Sequence, residues 1–197
     1  MKIVLATNNQ GKVKEFAALM GDLSLEILTL ADFPNLPEVV EDGTTFRENA
    51  VKKARETAAA TGLLALADDS GLEVDYLKGA PGVYSARYAG PQKSDADNNA
   101  RLLRELEGVP AAERTARFRC VIAVSSPEGR VEVTDGSCDG QIGFEPRGTG
   151  GFGYDPLFLV PEYRATFAEL DLDIKNRISH RGRALRAAAD LLRQQFN

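Results

Sequence analysis

The chain opens with a short apolar block, Ile3, Val4 and Leu5, then a polar run, TNNQGK, then apolar positions at helical spacing, Phe16, Leu19 and Met20. A continuous β-favouring block suits a strand covered on both faces, so a buried strand, a polar turn and a helix are predicted. A second strand is predicted over 25–30, followed by an acidic, proline-bearing loop, FPNLPEVVEDGT. Thr45 and Glu48 match a capping box, and Phe46, Ala50, Ala54 and Ala58 form the stripe of a helix that Thr61-Gly62 should end. LLALA reads as the next buried strand, GLEVDYL alternates like another, and KGAPGVYSARYAG is a loop marked by glycine and proline.

Farther along, residues 95–107 read as a helix with Leu102, Leu103 and Leu106 inward. ARFRCVIAVSS and RVEVTDGSCDGQI read as strands joined across Pro127-Glu128-Gly129, a hairpin. EPRGTGGFGYDP is a loop and LFLV a strand. A final helix turns Leu185, Ala188, Ala189, Leu192 and Phe196 inward. Strands alternating with helices, plus one hairpin, predict an α/β sheet with some antiparallel pairing. With 197 residues, no internal repeat and no linker, the whole chain, 1–197, is expected to be one domain with a sizeable core.

Composition narrows the partners. Twenty-four basic residues stand against 29 acidic ones, a formal charge of −5, which argues against a sequence-independent grip on nucleic acid. A small polyanion held through a metal stays open. The two cysteines, Cys120 and Cys138, have no metal-ligand spacing and make no disulfide framework, so buried thiols in a reducing compartment are expected. The apolar stretch IVLA is too short for a signal peptide and no stretch approaches a membrane span, which points to the cytoplasm.

Candidate chemistry lies at the ends of the predicted strands. In TNNQGK, residues 7–12, the chain passes from strand to helix, aiming backbone N–H groups and the positive end of the helix dipole outward. Lys12 adds a point charge suited to phosphate. The run is not a Walker A loop, since the first glycine is missing and Val13 follows the lysine; the alternative is an ordinary turn with an Asn cap. In ADDSG, adjacent strand residues point to opposite faces, so Asp68 and Asp69 cannot both enter one site while the strand stays extended. One should reach the region outside the strand's carboxyl end, where ligands collect in open α/β sheets, and the other should hold a turn that Ser70 and Gly71 sharpen. A bare carboxylate there is costly to desolvate, and a divalent cation is the usual remedy.

Loop acids Glu41 and Asp42 precede Asn49 and Lys53, which share a helical face; the acids suit magnesium and the lysine suits phosphate. The alternative is a solvated helix face. GTGGFGYDP carries four glycines in six residues around Phe152, Tyr154 and Asp155, allowing close approach to a flat ligand and stacking on a base. The alternative is aromatics folded into the core. In KNRISHRGRAL, Ser179 reads as an N-cap that places His180 and Arg181 in a first helical turn. Cations oppose the dipole there, and such a local conflict hints at a role. With Lys175 they suit a carbonyl oxygen.

Together, LATNNQGKVKE, EDGTTFRENAVKKA, ADDSGLEV, GAPGVYSARYAG, GTGGFGYDP and SHRGRAL closely resemble, in order and over nearly the whole chain, the inosine triphosphate pyrophosphatase family. The resemblance implies a two-lobed α/β fold, with a long mixed central sheet flanked by helices and a cleft between lobes. It also implies a homodimer that uses Mg2+ to hydrolyse noncanonical purine nucleoside triphosphates. Mapped onto this sequence, Thr7, Asn8, Asn9, Gln10, Gly11 and Lys12 would hold phosphates with Lys53 assisting. Glu41 and Asp69 would bind the metal, and Asp69 would activate water. Ser70 would touch substrate, while Phe152, Gly153, Tyr154, Asp155, Lys175, His180 and Arg181 would surround the nucleoside. Asp68 would support the turn or stand behind the site. Two rivals share the fold: a pyrimidine-preferring relative, against which SHRGRAL and GGFGYD speak, and a non-catalytic nucleotide sensor, against which Glu41, Asp69 and Lys53 speak. DLDIK looks superficially like a haloacid-dehalogenase motif but follows no predicted buried strand.

Overall fold

A computed structural model describes residues 2–21 and 25–196, apart from the side chains of Leu19, Gln195 and Phe196. The inward orientation expected of Leu19 and Phe196 therefore lies outside the described residues. The elements are β1 (Lys2–Leu5), α1 (Gln10–Met20), β2 (Glu26–Thr29), α2 (Phe46–Thr61), β3 (Leu64–Val74), α3 (Asp95–Glu105), β4 (Thr115–Ser125), β5 (Val131–Ile142), β6 (Phe158–Val160), β7 (Ala165–Thr166), α4 (Leu172–Ile178) and α5 (His180–Phe196). Among the described residues no helix is long and apolar enough to cross a membrane.

Among the described residues seven strands form one mixed sheet in the order β2-β1-β3-β4-β5-β6-β7. β1 pairs in parallel with β2 and β3, whereas β6 runs antiparallel to β5 and β7. Ile3, Val4 and Leu5 are buried on both faces, which is why their run is continuous rather than alternating. β4 and β5 are the predicted hairpin, closed by Ser126 N–H donating to Arg130 O at 2.9 Å.

The chain divides into two compact units, residues 1–69, 120–136 and 180–197 in the first, 70–119 and 137–179 in the second. Each has its own apolar core. In the first, Ile3, Leu5, Leu64, Leu66 and Ile122 of the sheet meet Phe16 and Met20 of α1 and Leu185, Ala188 and Leu192 of α5. In the second, Leu102 and Leu106 pack with Phe118, Leu157, Phe158 and Phe167, whose three phenyl rings lie 4.6–5.8 Å apart.

Two expectations need correction. No turn follows Asp69: β3 continues through Asp68, Asp69, Ser70 and Gly71 to Val74, eleven residues in all. The polar residues do not end the strand because partners far away in sequence satisfy them, as described below. The stretch around DLDIK, given no element above, forms α4, a two-turn helix that follows Asp171.

Candidate active site

Within the first unit, α1 carries the chain from β1 to β2 on one side, and the later crossover through α2 returns it to β3 on the other side of β1. Connections that leave in opposite directions open a space outside the carboxyl ends of β1 and β3, the usual ligand position in parallel sheets. The register sets Leu5 opposite Leu66, and Ala6 N–H donates to Leu66 O at 2.8 Å. Asp68 and Asp69 therefore stand level with the turn that begins at Thr7.

That turn is organised by Asn9. Its Oδ1 accepts from Gly11 N–H at 2.9 Å and Lys12 N–H at 3.2 Å, while Thr7 Oγ1 accepts from Asn9 N–H at 3.1 Å. Two helix-terminal amides expected to face phosphate are thus already capped. The helix start has no acidic residue in its first turn, so its dipole stays positive toward the space above β1. Thr7 and Lys12 are half-buried, and Asn8, Asn9 and Gln10 are exposed.

The extended backbone sends the two aspartates to opposite faces. Asp68 shares the face of Leu64 and Leu66, toward α1 and α5. Its Oδ2 is 2.8 Å from Lys12 Nζ and 3.5 Å from Arg181 Nε. Glu15 Oε2 takes Arg181 Nη1 at 2.7 Å, completing a network of two acids and two bases that is buried except for the half-buried Lys12. Burial works against the Asp68 charge, but Lys12, Arg181 and Lys53 outweigh it and hold the carboxyl well below the usual range. The acids also resolve the conflict at Arg181, a cation in the first turn of α5.

Asp69 faces α2. Asn49, only 1% exposed, donates through Nδ2 to Asp69 Oδ2 at 3.0 Å and accepts Gly43 N–H at its Oδ1 at 2.8 Å. One amide thus ties the strand acid to the acidic loop. A β-carbon at Gly43 would lie 2.6 Å from Asn49 Oδ1, so the absence of a side chain permits the tie. Lys53, one turn along α2, donates to Glu41 and to Asp68 O, the latter at 2.7 Å. Burial disfavours its charge, yet Asp68, Glu41 and Asp69 more than compensate and raise its pKa. At Asp69 the balance tips the other way: burial, helped by Glu41, raises the pKa despite Lys53 and Asn49. A carboxylate with raised proton affinity next to a lysine is the composition of a general base.

Glu41 and Asp69 thus both favour the charge of Lys53, Glu41 by a direct hydrogen bond. Among the described residues no group of three or more His, Cys, Asp or Glu could hold a metal by itself. Two hard carboxylates fit Mg2+, which completes its six ligands with water and substrate phosphates rather than with a full protein cage.

The second unit holds the aromatic loop. Asp155 Oδ2 accepts Phe152 N–H at 2.9 Å and pairs with Lys175 Nζ at 2.7 Å, all but buried. The Lys175 ammonium lies 5.2 Å from the Phe152 ring centroid. Tyr154 belongs to the core, its hydroxyl donating to Ser85 O at 2.8 Å, whereas the Phe152 ring is only half-buried. Ser70 is half-buried in β3. The structure groups Phe152, Asp155 and Lys175 in the second unit, and His180 and Arg181, both buried, in the first. Glu15 belongs to the site although no sequence motif points to it, and Asn49, on the predicted face of Lys53, proves to be the tie to Asp69. Their signal was local: an acid beside apolar Phe16, and an amide one turn before Lys53 on the α2 stripe.

Fold and site define an α/β protein with an acid and lysine cluster outside the carboxyl ends of parallel strands, a setting for phosphate chemistry. The chain belongs to the Ham1 family, whose model matches residues 3–191. It is 61% identical over 196 residues to a dITP/XTP pyrophosphatase of Desulforamulus reducens, covering 100% of this chain and 98% of that one. It is 59% identical over 191 residues to a dITP/XTP pyrophosphatase of Geobacter sulfurreducens, covering 97% and 96%. The solved HAM1 protein from Coxiella burnetii superposes with a TM-score of 0.91 at 44% identity over 98% of this chain and 99% of that one.

Proposed function

We propose that the protein hydrolyses noncanonical purine nucleoside triphosphates, dITP, XTP and ITP, to the monophosphate and pyrophosphate. The observation that carries this reading is Asp69, a buried carboxylate of raised pKa held by Asn49 beside the Lys53–Glu41 pair. Relatives that share most of their residues with this chain are named dITP/XTP pyrophosphatases, which supports the substrate class.

Water positioned by Asp69 attacks the α-phosphorus, and its proton passes to the carboxylate as the new P–O bond forms. The bond to the β-phosphate oxygen breaks and pyrophosphate leaves. Lys12, Lys53 and the positive start of α1 stabilise the charge that gathers on the leaving group. Glu41 and Asp69 would hold Mg2+, which when bound neutralises phosphate charge and favours in-line displacement. Phe152 offers a face for the base, and Lys175, His180 and Arg181 offer donors. Hypoxanthine and xanthine carry a 6-oxygen that accepts such donors, whereas adenine's 6-amino group sets donor against donor in a desolvated place. The active species is a homodimer in the cytoplasm.

A panel of nucleoside triphosphates, scored for pyrophosphate against orthophosphate with and without Mg2+, tests the reading. dITP and XTP should release pyrophosphate only with the metal, and ATP should be slower by about 100-fold or more, the scale of a donor mismatch. Equal rates on ATP, or release of orthophosphate, would sink it. Light scattering should return twice the chain mass.

A further inference from the structure

Gly153 sits in the left-handed region with φ of 63°, and both of its backbone polar groups are taken by side chains of α3. Asp95 Oδ2 accepts Gly153 N–H at 2.7 Å, and Asn99 Nδ2 donates to Gly153 O at 2.8 Å. The two residues are four apart, so they share one helical face and grip the glycine from both sides. Asn99 Nδ2 also donates to Asp95 O at 2.9 Å, which fixes its amide, since a flip would set oxygen against two carbonyls. That orientation leaves Asn99 Oδ1 buried and without a hydrogen bond among the described residues. Such a buried acceptor is unfavourable, and a local sacrifice of this sort accompanies positions under a functional constraint. The adjacent Asn98 holds a second loop, accepting Ala89 N–H at 2.6 Å and donating to Ala86 O at 3.1 Å.

We infer that Asp95 and Asn99 are positioning residues for nucleoside recognition: they clamp Gly153 and so set where Phe152, next to it, presents its ring. The inference rests on the reading above that this loop meets the base. Both residues belong to the second unit with Phe152, so the clamp should act on KM and base selectivity and leave kcat alone. Loop glycines make the clamp necessary. Gly148, Gly151 and Gly153 all have positive φ, and a free loop with that composition would sample many backbone states.

The test compares Asp95→Ala, Asp95→Asn, Asn99→Ala, the double alanine variant and Phe152→Ala, with dITP as substrate. Asp95→Ala and Asn99→Ala should each raise KM about tenfold, equivalent to about 1.4 kcal/mol, with kcat within about twofold. Asp95→Asn keeps an acceptor and should restore KM. The double variant should raise KM by much less than the product of the singles, because both act through one glycine. In parallel, hydrogen exchange at the Gly153 amide should speed up in Asp95→Ala but not in Asp95→Asn, whatever the activity. A raised KM in Phe152→Ala with no change in the α3 variants would overturn the clamp alone. An unchanged KM in Phe152→Ala would overturn the assignment of the loop to the base. Unchanged exchange at Gly153 would overturn the clamp irrespective of any turnover.

Discussion

Asp68 and Asp69 are chemically identical neighbours whose surroundings set opposite protonation tendencies. On Asp69's face, burial outweighs Lys53 and Asn49, so the charge needed for base catalysis is an energetic liability. Asp69→Asn should lower kcat by at least ~100-fold, the usual scale for a general base, while leaving the urea midpoint equal or higher. On Asp68's face the charge is favoured by Lys12 and Arg181. Asp68→Asn would take from Lys12 and Arg181 an acid that both pair with, and removing one member of a buried pair costs about 3–5 kcal/mol. The urea midpoint should fall accordingly, and a variant as stable as the parent would refute the network. The linkage has a definite sign. The folded carboxyl holds its proton less tightly than the unfolded one, so Asp68's stabilisation is complete above the unfolded pKa near ~4 and lost as pH falls below it.

Among the elements, α5 and β5 meet so closely that one position is left without a side chain. A β-carbon at Gly136 would lie 2.3 Å from His180 O and 2.7 Å from Ala184 N, both backbone atoms unable to swing aside. Thr134 Oγ1, two residues earlier, donates to Ala184 O at 3.1 Å and fixes the same contact. Gly136→Ala should therefore destabilise the protein by about 1–3 kcal/mol in urea unfolding, the range for overpacking. An unchanged midpoint would mean that the helix start is freer than its contacts imply. Elements such as β1, α2 and the β4–β5 hairpin were legible in the sequence because each announces itself locally, through an apolar block, a capping box or a turn. Sequence alone ends β3 at Asp68, because the polar half of the strand is satisfied from afar, by Lys12, Asn49 and Arg181. The site divided in the same way. Asp69, Lys53, Glu41 and the helical face of Asn49 can be named from the sequence, while the partners that Glu15, Asn49, Asp95 and Asn99 hold emerge only when distant segments are brought side by side.

For the molecule as a whole, acid groups buried in the cores of both units set a limit at alkaline pH. Burial pushes the Cys120 thiol in the first unit up to about 12 from 9.0, and burial with Glu105 beside it pushes the Tyr88 phenol in the second up to about 12 from 10.0. Tyr154 is shifted upward as well, chiefly by burial. These groups keep their protons in the folded state through a window where the unfolded chain loses them. Stability is therefore intact below about pH 9 and falls as pH rises from there toward 12. For the fully buried Cys120 the loss is about 1.4 kcal/mol per pH unit above about 9, by the free-energy equivalent of a pKa shift. Urea midpoints at pH 8, 9, 10 and 11 should decline with increasing steepness. Cys120→Ala should start lower, because a buried sulfur is lost, but decline more shallowly above pH 9. A parallel decline in parent and variant would show that the thiol ionises as readily in the folded protein as in the unfolded one. The same burial makes Cys120 resistant to aromatic disulfide reagents at pH 8, with labelling paced by unfolding rather than by reagent concentration.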